Sequence, residues 1–131
     1  MIVGICLFVL AACGSSNPYD KPGFRTEVTK DGRLWILADG QKKSHKHVTL
    51  VGEGPDGMTI KAPDSDTAWV YLATKKGFKV KMLEERLWIF RDGEDMKPAA
   101  KHIPLVGEGP GGITLRANDR ATLDAWFKAA N

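Results

Sequence analysis

From residue 24 the chain alternates. Phe24, Thr26 and Val28 interleave with Arg25, Glu27 and Thr29, and later Phe78, Val80 and Met82 interleave with Lys79 and Lys81. Period two with one apolar face marks a half-buried strand. The runs Leu34-Trp35-Ile36-Leu37 and Leu87-Trp88-Ile89-Phe90 are apolar on both faces, the pattern of a strand covered on each side. Asp31-Gly32 between the first two strands is a two-residue hairpin signal; the second copy carries Glu84-Glu85 there, so its turn must differ. A second pair of strands follows, 48–51 and 58–62, joined by the loop 52–57. Pro104 in the matching strand cannot donate to a ladder, which predicts an edge position. Each copy closes with a helix: 66–75, capped by Asp64 or Ser65, and 120–130, capped by Asp119.

These patterns occur twice. Gly23 recurs at Gly77, a spacing of 54; Arg33-Leu34-Trp35-Ile36 recurs from Arg86, a spacing of 53; and His47 through Ile60 recurs from His102, a spacing of 55. The length differences fall in turns, where a shared fold tolerates them. The predicted class is α+β: two tandem ββ-loop-ββα repeats of about 54 residues, at 23–76 and 77–131. Units this small bury too little surface to be stable alone. They are therefore expected to pack together, related by a pseudo-twofold axis.

Ahead of the repeats, residues 2 to 12 hold no charge. Eleven apolar positions are too few for a stable span of about 20 residues and have the length of a signal-peptide core. The run ends in Leu10-Ala11-Ala12-Cys13, followed by Gly14-Ser15-Ser16-Asn17-Pro18. This sequence resembles the lipobox of bacterial lipoproteins. The resemblance implies cleavage between Ala12 and Cys13, whose small neighbours admit the signal peptidase, and acylation of the Cys13 thiol. It implies a signal peptide at 1–12, a lipidated N-terminus and linker at 13–22, and a bilayer as the first partner. Two or more acyl chains anchor stably where one does not. Gly14, rather than Asp, is similar to the sorting signal of lipoproteins that reach the periplasmic face of the outer membrane. The duplicated part resembles small envelope lipoproteins with a tandem repeat, a likeness that brings no activity with it.

Composition narrows the reading. Lys and Arg number 19 against 16 Asp and Glu, a net charge of +3, and hydrophobic types make up 43%. These are ordinary globular values that exclude a polytopic membrane protein or a disulfide miniprotein, and the weak basicity gives no reason to expect nucleic acid. With Cys6 in the signal and Cys13 carrying lipid, the mature body has no thiol for a disulfide, a thiolate metal site or a nucleophile.

Candidate chemistry is sparse. Gly52 to Gly57 and Gly107 to Gly112 both satisfy G-x-G-x-x-G, but a strand follows where a dinucleotide site needs a helix, so the expected role is a wide hairpin loop. His45, His47 and His102, with Met58, Met82 and Met96, raise an envelope copper or zinc site. The plainer expectation is strand-end histidines bonded to backbone or water, and packing for Met58 and Met82. Trp35 and Trp88 are expected in the core, the sharper alternative being outward rings that contact a sugar or a protein partner. Trp69 aligns with Asp124, which predicts an accessible ring. Lys42, Lys43, Lys46, Lys75 and Lys76, with Arg25, Lys79 and Lys81, form either a basic patch near anionic lipid or scattered solvated charge. No catalytic motif is present, and two small repeats leave little room for a pocket. The expectation is a non-enzymatic envelope module without a cofactor, contacting an envelope protein or, alternatively, a glycan or metal.

Overall fold

The computed structural model describes residues 18–130. Cys13, Ala12 and the apolar run lie outside them. The first unit is β1 (Phe24–Val28), β2 (Leu34–Ala38), β3 (Val48–Leu50), a 3-10 turn (Pro55–Gly57), β4 (Ile60–Ala62) and α1 (Ser65–Ala73). The second repeats it: β5 (Phe78–Leu83), β6 (Arg86–Arg91), β7 (Ile103–Leu105), a 3-10 turn (Pro110–Gly112), β8 (Leu115–Ala117) and α2 (Arg120–Lys128). Two four-stranded sheets and two helices make an α+β fold of two like units.

Both expected strand pairs form, β1 with β2 and β3 with β4, each antiparallel. A third pairing was invisible in the sequence: β2 lies parallel to β4, giving the order β1-β2-β4-β3, and β5-β6-β8-β7 in the second unit. Residues 39–47 carry the chain from the end of β2 to the far edge of the sheet, so β4 returns between them. Burial explains the order. Leu34, Ile36, Ile60 and Ala62 are all fully buried and belong in the middle, whereas β7 with its Pro104 takes the edge as expected.

Turn chemistry differs between the copies. The first hairpin has a three-residue loop rather than the expected two: Gly32 N–H donates to the Thr29 carbonyl (3.0 Å), Thr29 N–H to Arg33 (2.8 Å), and Gly32 sits at φ +80°. That is a type I turn with a bulge, for which the glycine supplies the positive φ. In the second copy Glu84 and Glu85 form a two-residue turn with φ of +51° and +63°, a left-handed pair without glycine. In the G-x-G-x-x-G loops it is the middle glycine that sterics demand. A Cβ on Gly54 would lie 2.7 Å from Ile60 Cγ1 and 2.8 Å from the Met58 oxygen. Both helices are capped by aspartate: Asp64 accepts from Thr67 N–H and Asp119 from Thr122 N–H, each at 2.8 Å.

The units share a core, but one-sidedly. Tyr71 and Ala68 of α1 pack on their own sheet with Leu34, Ile36 and Ile60. Trp69, Val70 and Ala73, on the other side of the same helix, join the second unit's cluster of Phe78, Val80, Leu87, Leu115 and Trp126. No residue of the second unit enters the first unit's cluster. A twofold axis would make these contacts reciprocal; they run one way. In the first unit Tyr19, at the position equivalent to Ala73, takes the matching place.

Candidate functional site

Trp35 and Trp88, each with a candidate histidine beside it, lie on the sheet faces away from the helices. Alternation puts Leu34 and Ile36 toward α1, so Trp35 and Leu37 turn to the opposite side, and likewise Trp88 and Phe90 in β6. Trp35 is only 9% exposed and Trp88 4%. The rings pack where core residues do, leaving no open face for stacking on a sugar. A histidine closes each: His47 meets Trp35 edge-on with ring centres 5.1 Å apart, and His102 meets Trp88 at 4.9 Å. Each histidine Nδ1 lies 3.4 Å from the carbonyl three residues before it, Ser44 or Ala99. His45 is exposed. Among the described residues no group of three His, Cys, Asp or Glu is placed to hold a metal. Met58 and Met82 pack against the two cores, and Met96 offers its carbonyl to Lys81.

Trp69 departs from expectation. Alignment with Asp124 suggested an accessible ring, but Trp69 lies half-buried between the units, its ring directly over Gly111. A Cβ at Gly111 would collide with that ring. The first copy carries Asp56 at the same place in its loop, and there the Asp56 carboxylate accepts from the Tyr19 hydroxyl at 2.9 Å. Alignment misled because α1 has a second unit to cover and α2 does not. The α2 equivalents of Trp69 and Ala73 are Asp124 and Lys128, both solvated, with Asp124 paired to Arg120.

A repeated lysine clamp accompanies this junction. Lys21 Nζ donates to the carbonyls of Tyr71 (2.8 Å) and Thr74 (2.7 Å), the unpaired end of α1, and lies 4.4 Å from the Tyr71 ring centre. Lys75, 54 residues on, donates to Trp126 (2.8 Å) and lies 3.9 Å over its ring. A cation at a helix C-terminus satisfies orphan carbonyls and opposes the helix dipole. The helix aromatic answers: the Tyr71 hydroxyl donates to the Tyr19 carbonyl, and Trp126 Nε1 to Ala73. The clamps were missed in the sequence, where Lys75 counted only toward a basic patch, although Lys21-Pro22-Gly23 and Lys75-Lys76-Gly77 were there to be aligned.

Between the strap 18–22, the loop 53–56 and the α1–β5 junction lies a cleft of about 610 Å³. This is the size of a small-molecule site, against the expectation of little room. Burial, then the charge of Lys75, draws the Lys21 ammonium down to about 8; burial, then Asp20, pushes the Tyr71 phenol up to about 12. The floor therefore carries a half-buried cation and a neutral phenol, with Glu53, Asp56 and Asp92 around the rim. Two of the three Lys21 donors are taken up by the Tyr71 and Thr74 carbonyls.

Comparison with protein-family models, with curated proteins and with solved structures found no match.

Proposed function

We propose that the chain is an envelope lipoprotein, tethered through acylated Cys13 to the periplasmic face of an outer membrane, whose body acts as a non-catalytic binding or structural module. The observation that carries this is Leu10-Ala11-Ala12-Cys13 directly after an uncharged run and before a polar linker. The described body begins at Pro18, five residues beyond Cys13. A fully extended chain of that length reaches about 18 Å, so the strap and the junction cleft stand close to the anchored end. We read the two units as stacked head to tail, α1 supplying a helix face to the second unit and the strap 18–22 covering the first. The occupant is an envelope protein on this reading, and nothing in the charge pattern calls for nucleic acid.

Intact-mass measurement on protein purified from membranes of a bacterial host tests the anchor. A chain starting at Cys13 with a diacylglyceryl thioether supports it, and loss of that mass in Cys13→Ser confirms the residue. A chain that keeps Met1, or carries a bare thiol in a host competent for lipidation, overturns it. The junction cleft favours a second reading, a small envelope ligand such as a glycan, whereas for the copper or zinc alternative no ligand cluster is found among the described residues. Quenching of tryptophan fluorescence by a saccharide or by either metal would support that reading, and an unchanged spectrum would reject it.

A further inference from the structure

The faces of the two sheets that turn away from the helices share a register and differ in charge. In the first unit the face carries Arg25, Glu27, Trp35 and Lys61, in register as Arg25 with Leu37, Glu27 with Trp35 and Trp35 with Lys61. It carries one carboxylate, Glu27, among its cations. Glu27 pairs with Lys43, and Arg33 at the hairpin end pairs with Asp31. In the second unit the glutamate position is Lys81. The face reads Lys79 opposite Phe90, Lys81 opposite Trp88, Leu83 opposite Arg86, and Trp88 beside Arg116. No strand residue on this face is acidic, and none of the ion pairs among the described residues involves Lys79, Lys81, Arg86 or Arg116. The carboxylates nearest in the chain, Glu84 and Glu85, stand in the exposed turn beyond Arg86, which takes only the Glu84 backbone oxygen (2.9 Å).

A second observation marks the same place. Among the described residues, the buried side-chain nitrogens left without a hydrogen-bond partner are Arg86 Nε and Arg116 Nε. Both arginines flank Trp88, Arg116 with its guanidinium carbon 5.9 Å from the ring centre. An unanswered buried donor in a native fold calls for an acceptor from outside or a specific reason to do without one. Guanidiniums on either side of one residue can present N–H groups to phosphate oxygens as paired forks. Lys81 gives one donor to Met96 O (2.6 Å) and keeps its charge. Strand spacing sets the size of the patch: Lys81 and Arg116 stand about 10 Å apart across three strands, and Lys79 and Arg86 about 14 Å apart along them. That footprint exceeds one phosphate and matches a surface of several.

We propose that this face of the second sheet docks on the phosphate headgroups of anionic lipid, the occupant favoured by its charge and by the membrane tether at Cys13. The identity of the occupant rests on the lipid-anchor reading; the affinity of the face for clustered phosphate does not. The cations steer and hold the face, while Trp88, 4% exposed beneath them, backs Arg116 rather than touching lipid. The first unit, whose face carries the Glu27 carboxylate where the second has Lys81, is the weaker of the two on this proposal.

The test uses the full chain carrying Cys13→Ser, so that no acyl chain contributes. Sedimentation with phosphatidylglycerol–phosphatidylcholine vesicles is compared with phosphatidylcholine alone, which subtracts any pull of the apolar run. Each cation near an anionic surface is worth about fivefold in partitioning. The triple change Lys79→Gln, Arg86→Gln, Arg116→Gln should therefore cost about a hundredfold of the anionic preference, and raised salt should erase it. Lys79→Glu, an exposed position, should lower the preference without touching the packing, which keeps the test valid if the arginine variants fold poorly. Arg86 and Arg116 Nε–H NMR signals should shift with anionic vesicles. Equal partitioning to both vesicle types, or wild-type behaviour of Lys79→Glu and the triple variant together, overturns the proposal. Equal Nε–H shifts with soluble glycerol phosphate would replace it with a single-phosphate site. Absent acylation in the mass measurement would leave this binding intact, so the two failures are distinct.

Discussion

Trp126 reaches back across the boundary between the repeats and donates its indole N–H to the Ala73 carbonyl at 2.7 Å. The bond is buried, and it ties the second helix to the last turn of the first. In the first unit Tyr71 does the same to Tyr19, so one device is used at the junction and at the strap. A buried carbonyl left without its donor costs about 1–3 kcal/mol. Trp126→Phe should therefore lower unfolding stability by about 2 kcal/mol. Tyr71→Phe should cost less, because Tyr19 lies nearer solvent. Urea denaturation followed by far-UV circular dichroism reads both.

The contact of Trp69 with Gly111 gives a second expectation. Gly111 has φ +67° and no room for a Cβ beneath the Trp69 ring. Gly111→Ala should cost about 2 kcal/mol, the sum of left-handed strain and overpacking. Combining it with Trp69→Ala should recover the overpacking part, so the double-mutant cycle should show clear non-additivity. Additive losses would mean that the two residues do not touch in solution.

The Glu84-Glu85 turn holds two L-residues in left-handed backbone, at about 1–2 kcal/mol each. Glu84→Asn with Glu85→Gly, the sequence this turn prefers, should stabilise the chain by about 1–2 kcal/mol. A rise in Tm of several degrees is the expected readout. No gain would show that the turn differs in solution.

Titration of the clamp should be visible in stability. Lys21 is held at about 8 in the fold against 10.5 when free, by burial first and then by the Lys75 cation. Between these values the unfolded chain binds the extra proton, so stability rises with pH across that window. Lys75, also lowered by burial, acts in the same sense. Tyr71 opposes them at higher pH: its phenol, pushed from 10.0 to about 12, keeps its proton in the fold, so stability falls between those values. Stability measured in urea should climb from pH 8 to 10 and then turn over. Lys21→Met should flatten most of the climb.

How far the sequence reached can be judged element by element. Period-two alternation placed β1 and β5, the apolar runs placed β2 and β6, Pro104 marked an edge, and Asp64 and Asp119 marked the helix starts. These features depend on neighbours a few residues apart, so the local pattern holds all the information. The duplication was equally legible, because copied residues stay copied whatever their surroundings. The sheet order was not. The β2–β4 pairing joins strands more than twenty residues apart, and either strand would read the same beside another partner.

The site shows the same division. Trp69 and Asp124 occupy one position of the repeat, and sequence alone treats them as equivalents. The fold separates them, because α1 has a neighbour on both sides and α2 on one, and burial is a property of the whole packing. The Lys21 and Lys75 clamps are likewise ordinary lysines until a helix end comes to rest against them. The sequence by itself determined most of the elements and the duplication. Tertiary structure alone decided which strands became central, which helix face met the next unit and which sheet face gathered cations without a strand carboxylate, since each depends on what lies across space rather than along the chain.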